Sequence, residues 1–278
     1  MVRNLGRLLL ALVFGSFSLR PVLAQQPTPP MLENSDISLE VNIPVKELTV
    51  FDHGKAVESF PVAIGQLAYK SIVMQDAIKV VEWNPWWFPP PSPWARDEHI
   101  TPPGPHNPLG PVKMALGNGI RIHGTNKDKS VGRAASHGCF RMHNEDAIKL
   151  GWYLQSHLTE QKDPSLLATY AQNRRRTYHV ALSQPVPVKV VYEPVVLRDR
   201  FLYLYPDVYG RIHNWFETIA SVLQSNGIST GQLSTQRVNE LKRILKQDLL
   251  TVSISDLLNQ PEQADQADLD TSFAQLFP

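Results

Sequence analysis

One proline-rich segment, residues 83–111, constrains the fold of this chain more than any other stretch. It holds ten of the 23 prolines and four of the six tryptophans. Proline lacks an amide donor and is excluded from helix interiors and central strands. Loops this long in compact domains are usually functional lids or binding loops. We therefore expect a long ordered loop here, acting as a lid, as a cap on the core through its tryptophans, or as both.

Strand patterns flank this segment on both sides. Apolar residues alternate with polar ones over 37–43, which is the period of a half-buried strand. Residues 47–65 predict a hairpin with its turn at 52–55, and 78–83 predict another strand. Residues 112–123 predict a second hairpin around a Gly-Asn-Gly turn, with His123 at its end. These patterns predict a mainly β fold.

Helical patterns appear later in the chain. Apolar residues at 147, 148, 151, 154 and 158 share one helix face, and Asn144 is the expected N-cap. The other segments are predicted as follows: a helix at 166–176, closing strands at 177–182 and 185–195, a strand or hairpin arm at 200–210, and helices at 214–227 and 235–250. The fold class that follows is mainly β with added helices and a helical C-terminal appendage.

The first residues predict an export signal. Two arginines precede an apolar run at 8–19, and a small-residue cleavage site ends at Ala24, so 1–24 are predicted as a secretory signal peptide. Because Arg20 is unusual at its position in a signal peptide, an uncleaved membrane anchor is the alternative. No other stretch approaches the roughly 18 apolar residues of a membrane span. We expect an exported protein of the periplasm or cell envelope, without a membrane span after signal cleavage.

The remainder divides by composition. Residues 25–36 are predicted as a linker, 37–194 as the main domain, and 195–278 as a C-terminal extension of one strand, then helices and a polar tail. Basic and acidic residues nearly balance, with a net charge of +1. Nucleic-acid-binding proteins carry clustered positive charge, so no nucleic-acid partner is expected.

Cys139 is the only cysteine of the chain. Structural cysteines of exported proteins usually come in pairs, so this thiol is expected to be free and reactive. A neighbouring histidine that accepts its proton would make it a nucleophile. We expect His123 to be this base, because it ends a strand that can lie beside the thiol. His137 shares a turn with Cys139 and is expected to orient the site or contact substrate.

Residues around the thiol suggest further roles. A third group must fix the tautomer of the base, and the candidates are Ser136, the carbonyl of Gly124 and an aspartate. Gly138 permits a sharp turn, and the amides near Gly138 and Cys139 are candidates for an oxyanion hole. Arg141 either binds a carboxylate or fixes the loop.

These residues resemble the signature of a known family. "IHGTN" followed after a short spacer by "SHGCFRM" is similar to the motif of the L,D-transpeptidases, which have the YkuD-type catalytic domain. The resemblance extends over about residues 37–210, and it includes the proline-rich stretch before residue 112 and "LYLYPDVYG". The matching motif residues are His123, Ser136, His137, Gly138, Cys139 and Arg141.

The resemblance implies a mainly β, sandwich-like or barrel-like catalytic domain. It implies that Cys139 attacks the carbonyl between an L-centre and D-Ala of a peptidoglycan tetrapeptide stem, with His123 as acid and base. D-Ala leaves, and an amine of a second stem or of an envelope protein resolves the thioester. No metal or organic cofactor is implied. The chain differs from the family by having no recognisable peptidoglycan-binding repeat module, and by extra helical sequence between Tyr153 and Tyr178.

Three alternatives remain at this point. His123, His137, Cys139 and His143 could form a zinc site. Water could replace the amine, which would make the protein an L,D-carboxypeptidase. The chain could also be a non-catalytic peptidoglycan-binding protein with an inert cysteine. The sequence contains no Ser-x-x-Lys, Gly-x-Ser-x-Gly or His-Glu-x-x-His, which argues against serine penicillin-binding enzymes, α/β-hydrolases and common zinc peptidases.

Overall fold

The computed structural model describes residues 36–245 and 248–258. The predicted signal peptide, all of the linker except residue 36, and the polar tail beyond residue 258 lie outside these residues. Across the two described ranges, no helix is long and apolar enough to cross a lipid bilayer.

Strands dominate the described part of the chain. The strands are β1 (Ile37–Asn42), β2 (Glu47–Asp52), β3 (Lys55–Pro61), β4 (Ile64–Gly65), β5 (Met74–Trp83), β6 (Val112–Ala115), β7 (Arg121–His123), β8 (Ala134–Ser136), β9 (Phe140–Arg141), β10 (Tyr178–Val191), β11 (Val195–Arg198), β12 (Phe201–Leu204) and β13 (Leu250–Ser253). The helices are α1 (Asn144–Leu158), α2 (Ser165–Gln172), α3 (Trp215–Ser225), α4 (Thr235–Ile244) and α5 (Ile254–Leu258).

Eight strands form the main sheet, in the order β3-β2-β1-β10-β5-β6-β7-β9. The pairs β1–β10 and β7–β9 are parallel, and the other neighbours are antiparallel. Helix α1 packs on β5, β6 and β10. This architecture confirms the predicted mainly β class with added helices. The sheet ends at β7 and β9, the two strands that carry the histidine and cysteine motifs.

The main core lies between this sheet and the helices that cover it. Trp83, at the end of β5, is buried and stacks on Tyr170 of α2 with ring centroids 4.7 Å apart. Its indole nitrogen donates to Gln155 Oε1 of α1 at 2.8 Å, which satisfies the one polar atom of the ring. Trp83 thus joins the sheet to both helices of the predicted insertion region.

A second, smaller core forms in the C-terminal part. Strands β11, β12 and β13 make a three-stranded sheet, and α3, α4 and α5 supply the apolar side chains that pack with it. The helix predicted over 235–250 ends at Ile244, and Leu250–Ser253 pairs with β12 as a strand instead. The C-terminal part is therefore more than a helical appendage. The domain division between residues 194 and 195 stays a prediction.

Local structure agrees with the sequence patterns in most places. Both predicted hairpins form, as β2–β3 and β6–β7. The prediction that Asn144 caps α1 is wrong: the N-cap is His143, and Asn144 Oδ1 accepts from the Thr125 amide at 2.8 Å. The two closing strands are one strand, β10, with an irregular register between Ala181 and Val186.

The proline-rich segment is an ordered loop, as predicted. Between β5 and β6 it contains a single antiparallel bridge, Trp87–Thr101, and one short turn of 3₁₀ helix. Asn107, which is 1% exposed, donates through Nδ2 to the carbonyls of Pro85, Thr101 and Pro102 at 2.9–3.1 Å. Because prolines cannot donate, one buried amide side chain ties together the two arms of the loop.

Candidate active site

The proline-rich loop and the edge of the main sheet enclose a cleft of about 350 Å³. Trp87 and Trp94 of the loop form one wall. His123 of β7 also lines the cleft, together with Ser136, His137, Cys139 and Arg141 of the cysteine motif. The structure therefore brings most of the site residues predicted from the sequence into one cavity.

The parallel pairing of β7 with β9 sets which side chains face the cleft. Ile122 pairs with Phe140, and His123 pairs with Arg141. Side chains alternate between the two faces of a sheet. Ile122 and Phe140 are fully buried in the core, so His123, Arg141 and Cys139 lie on the opposite face, towards the cleft.

His123 is 4% exposed, and its Nδ1 lies 2.5 Å from the carbonyl oxygen of Gly124. A carbonyl only accepts, so Nδ1 carries the hydrogen and Nε2 is left with a free lone pair. Burial lowers the pKa of His123 to about 3; the hydrogen bond to Gly124 opposes this shift, and the nearby charges of Arg141, Arg121 and Lys113 reinforce it. The ring is therefore neutral at physiological pH, with Nε2 available as a base.

Cys139 is a free, partly exposed thiol that lines the cleft. Its sulfur donates to the carbonyl of Gly119 at 3.7 Å, and Arg121 Nη1 donates to the same carbonyl at 2.8 Å. One carbonyl of the β6–β7 turn thus contacts both the thiol and a guanidinium group. A thiol in this position is accessible, unlike the inert buried cysteine considered as an alternative.

The turn that presents the thiol is held by Ser136, which is fully buried. Its hydroxyl donates to the carbonyl of Cys139 at 2.6 Å and accepts from the Gly138 amide at 3.0 Å. Gly138 has φ +108°, a conformation that side-chain-bearing residues rarely adopt. Ser136 is therefore bonded to the turn, whereas Gly124 provides the carbonyl bonded to His123. The Gly138 amide is already engaged, so the Cys139 amide is the better oxyanion candidate.

Two buried residues outside the sequence motif support this turn. Ser71 donates through Oγ to the carbonyl of Gly138 at 2.9 Å and accepts from the Gly65 amide at 2.9 Å. The Tyr209 hydroxyl donates to the carbonyl of Gly65 at 2.6 Å and accepts from the Ser71 amide at 3.0 Å. No sequence signal marked either residue as part of the site, although Tyr209 belongs to the "PDVYG" stretch of the family resemblance.

His137 is held between two aromatic rings. Trp94 of the loop stacks flat on it, with centroids 3.9 Å apart and an interplanar angle of 2°, and Tyr69 meets it edge-on at 4.8 Å. Burial is the main cause that lowers the pKa of His137. The contact with Trp94 links the proline-rich loop directly to the cysteine motif.

Charged side chains give the cleft a positive balance. Arg141 is partly buried and donates through Nη1 to the carbonyl of Ala135 at 3.0 Å, so it does fix the loop. Arg121 and Lys127 also line the cleft, whereas Glu98 is the acidic residue in its lining. No sequence signal marked Arg121, Lys127 or Glu98 as site residues. A cleft with this charge favours an anionic ligand such as a carboxylate.

The zinc alternative finds no support in the geometry. Within residues 36–245 and 248–258, no group of three or more His, Cys, Asp and Glu side chains is arranged to hold a metal ion. His123 donates to a backbone carbonyl, His137 is stacked on Trp94, and His143 bonds to Asp128.

The similarity to known proteins lies in the part of the chain that carries the cleft. Residues 36–156 match the family model of YkuD, described as the L,D-transpeptidase catalytic domain. The chain is 32% identical over 116 residues to the putative L,D-transpeptidase YqjB of Bacillus subtilis, covering 40% of this chain and 61% of that protein. It is 33% identical over 102 residues to the probable L,D-transpeptidase ErfK/SrfK of Escherichia coli, covering 32% of each. The matched part thus spans less than two thirds of these relatives.

A solved structure, an L,D-transpeptidase from Mycobacterium smegmatis, aligns with 56% of this chain and 58% of its own, at 15% identity and a TM-score of 0.36. We draw no inference from a likeness of this degree. The similarity rests instead on the family model, whose matched residues include both His123 and Cys139, and on the curated relatives. Residues 36–156, which contain both the histidine and the cysteine motif, thus match the L,D-transpeptidase catalytic domain.

Proposed function

We propose that the protein is a peptidoglycan L,D-transpeptidase that uses Cys139 as nucleophile and His123 as general acid and base. The observation that carries the proposal is the β7–β9 register, which puts thiol and imidazole on one face of the sheet in one cleft. The hydrogen bond from His123 Nδ1 to Gly124 supports it, because it leaves Nε2 free to accept the thiol proton.

In the first half-reaction, Cys139 Sγ attacks the carbonyl carbon between the L-centre and D-Ala of a tetrapeptide stem, and the thiol proton moves to His123 Nε2. The oxyanion that forms accepts a hydrogen bond from the Cys139 amide. When the C–N bond breaks, His123 returns its proton to the departing amino group of D-Ala. The products are free D-Ala and a thioester on Cys139.

In the second half-reaction, the amino group of a second stem, or of an envelope protein, attacks the thioester carbonyl. His123 Nε2 takes a proton from the attacking nitrogen, and the C–S bond breaks. The sulfur leaves with the proton that His123 holds, which restores the thiol and the neutral imidazole. Water in place of the amine would give the L,D-carboxypeptidase reaction.

Charge in the cleft fits such a donor. A tetrapeptide stem carries carboxylates, and Arg121, Lys127 and Arg141 offer cationic groups along the cleft. Peptidoglycan lies outside the cytoplasm, which agrees with the export signal predicted at the N-terminus. Periplasmic or envelope localisation is part of the proposal.

The proposal is tested by incubating the protein with a purified tetrapeptide stem and identifying the products by mass spectrometry. We expect crosslinked stem dimer and free D-Ala. Cys139→Ala abolishes both, and His123→Ala lowers the rate by about 10² to 10⁴-fold, the range for loss of general acid–base catalysis.

His143→Ala is the matched control, since this histidine bonds to Asp128 and belongs to neither the nucleophile nor the base. It should retain the wild-type rate within about twofold. Tripeptide without dimer would assign the hydrolase instead of the transferase. Turnover that persists in Cys139→Ala would refute the mechanism.

A further inference from the structure

Three large apolar side chains of the proline-rich loop are exposed to solvent. Trp86 is 42% exposed, Phe88 is 61% exposed and Ile100 is 57% exposed. The rings of Trp86 and Phe88 are nearly parallel, with an interplanar angle of 29° and centroids 6.4 Å apart. Contiguous apolar groups on a surface mark interaction sites more often than single ones do.

The backbone of the loop fixes these three side chains on one face. Trp87 and Thr101 exchange both backbone hydrogen bonds, at 2.9 and 3.0 Å, in an antiparallel bridge. At this register Phe88 lies opposite Ile100, and side chains alternate between faces. Trp87 therefore points the other way from Trp86 and Phe88: it is 9% exposed and lines the cleft.

We propose that Trp86, Phe88 and Ile100 form a platform that binds the glycan strand of peptidoglycan, next to the cleft that takes its stem peptide. The inference rests on the proposed function. The faces of aromatic rings carry negative potential, which attracts the C–H groups on the flat face of a pyranose ring. The methyl groups of N-acetylated amino sugars add apolar contacts that suit Ile100.

The position of the platform supports this occupant. Trp86 and Phe88 are the immediate neighbours of Trp87 in sequence, and Trp87 lines the cleft. One side of this segment therefore faces the cleft, and the other side carries the platform. A stem peptide is attached to the glycan, and binding the glycan here would raise the local concentration of stems at Cys139. Prolines at 85, 89, 90 and 91 restrict the backbone and reduce the entropy lost on binding.

Charge on the same loop favours a sugar polymer over an anionic membrane. The exposed charges between Trp94 and Ile100 are one cation, Arg96, and two acids, Asp97 and Glu98. Surfaces that bind anionic lipid carry clusters of four to eight basic residues. This stretch of the loop carries no such basic cluster, and exposed aromatic rings suit the uncharged face of a glycan.

The experiment compares the wild type, a Trp86→Ala/Phe88→Ala variant, a conservative Trp86→Phe variant and a Phe201→Ala control. Phe201 is 45% exposed on β12, in the other core of the chain. Binding to insoluble purified sacculi is measured by co-sedimentation, and binding to an oligomer of N-acetylglucosamine by titration. Turnover of a soluble tetrapeptide stem is measured in parallel.

We expect the double variant to lose about tenfold in affinity for sacculi and for the oligosaccharide, equivalent to about 1.4 kcal/mol. Trp86→Phe and Phe201→Ala should keep the wild-type affinity, and all variants should turn over the soluble stem within about twofold of wild type. Because the binding assays need no catalysis, they test the platform even if wild type fails to turn over the stem.

Equal binding of sacculi by the double variant and the wild type would overturn the inference. So would wild-type protein that binds vesicles of anionic phospholipid through these residues and fails to bind sacculi. A double variant that loses soluble-stem turnover together with sacculus binding would also overturn it, because the two residues would then act on the cleft and not on the glycan.

Discussion

Tyr209→Phe is the substitution that most directly tests how the catalytic turn is supported. It deletes one oxygen atom that joins three segments of the chain: the hydroxyl donates to the carbonyl of Gly65 and accepts from the amide of Ser71, whose own hydroxyl holds the carbonyl of Gly138. Phenylalanine keeps the ring and its packing. The substitution therefore isolates the two hydrogen bonds.

The size of the effect follows from burial. Ser71 is 0% exposed and Gly65 is buried, so water does not readily replace the lost partner of either group. An unsatisfied buried donor or acceptor costs about 1–3 kcal/mol, which gives a loss of about 2–6 kcal/mol for the pair. For a protein of this size, such a loss lowers the melting temperature by roughly 5–15 °C.

The assay is thermal unfolding followed by circular dichroism, combined with turnover of a tetrapeptide stem. Tyr203→Phe, on strand β12 and outside this hydrogen-bond network, is the control and should melt within about 2 °C of wild type. We also expect kcat to fall by roughly 10-fold or more in Tyr209→Phe, because the turn that carries Cys139 loses its support. A melting temperature equal to that of wild type would refute the reasoning.

Three further predictions concern the cleft. The pKa of His123 is lowered to about 3 in the folded protein, so the neutral ring contributes its full stabilisation above pH 6.5. This contribution, up to about 5 kcal/mol, is lost as the pH falls towards 3. Urea unfolding at a series of pH values should therefore show a shallower acid dependence in His123→Gln than in wild type. Gly138→Ala places a side chain at φ +108° and should cost about 1–3 kcal/mol by urea unfolding. Gly231→Ala, where φ is not positive and the added methyl group meets only the Ser229 hydroxyl at 3.8 Å, should cost less than about 1 kcal/mol. Trp94→Ala removes the ring stacked on His137 and should raise the pKa of that histidine towards its ordinary value in an NMR titration; an unchanged pKa would mean that Trp94 contributes nothing to its burial.

Much of the fold follows from local patterns. Period-two alternation identified the strands before and after the proline-rich loop, and the Gly-Asn-Gly turn fixed the second hairpin. Placing His123 at a strand end followed from the same alternation. These features depend on neighbours in sequence, so one segment at a time is enough to predict them.

Other parts depend on contacts between distant segments and could not be predicted in this way. Ser71 and Tyr209 are 138 residues apart, and only the complete fold brings them together. The stacking of Trp94 on His137 depends on the path of a loop without periodicity. Asn144 looked like an N-cap by its position, yet tertiary contact with Thr125 takes its side-chain oxygen. Strand β13 pairs with a strand 46 or more residues earlier in the chain, which a local helical pattern concealed.

The tautomer of His123 has a consequence for the chemical durability of the protein. With its Nδ1 hydrogen directed to Gly124 and no second proton on the ring, the imidazole is not a cation that would stabilise a resting thiolate. The thiolate attacks peroxides and disulfides, whereas the protonated thiol hardly reacts with them. His123 therefore supplies no positive charge that would promote the oxidation of Cys139 to sulfenic acid.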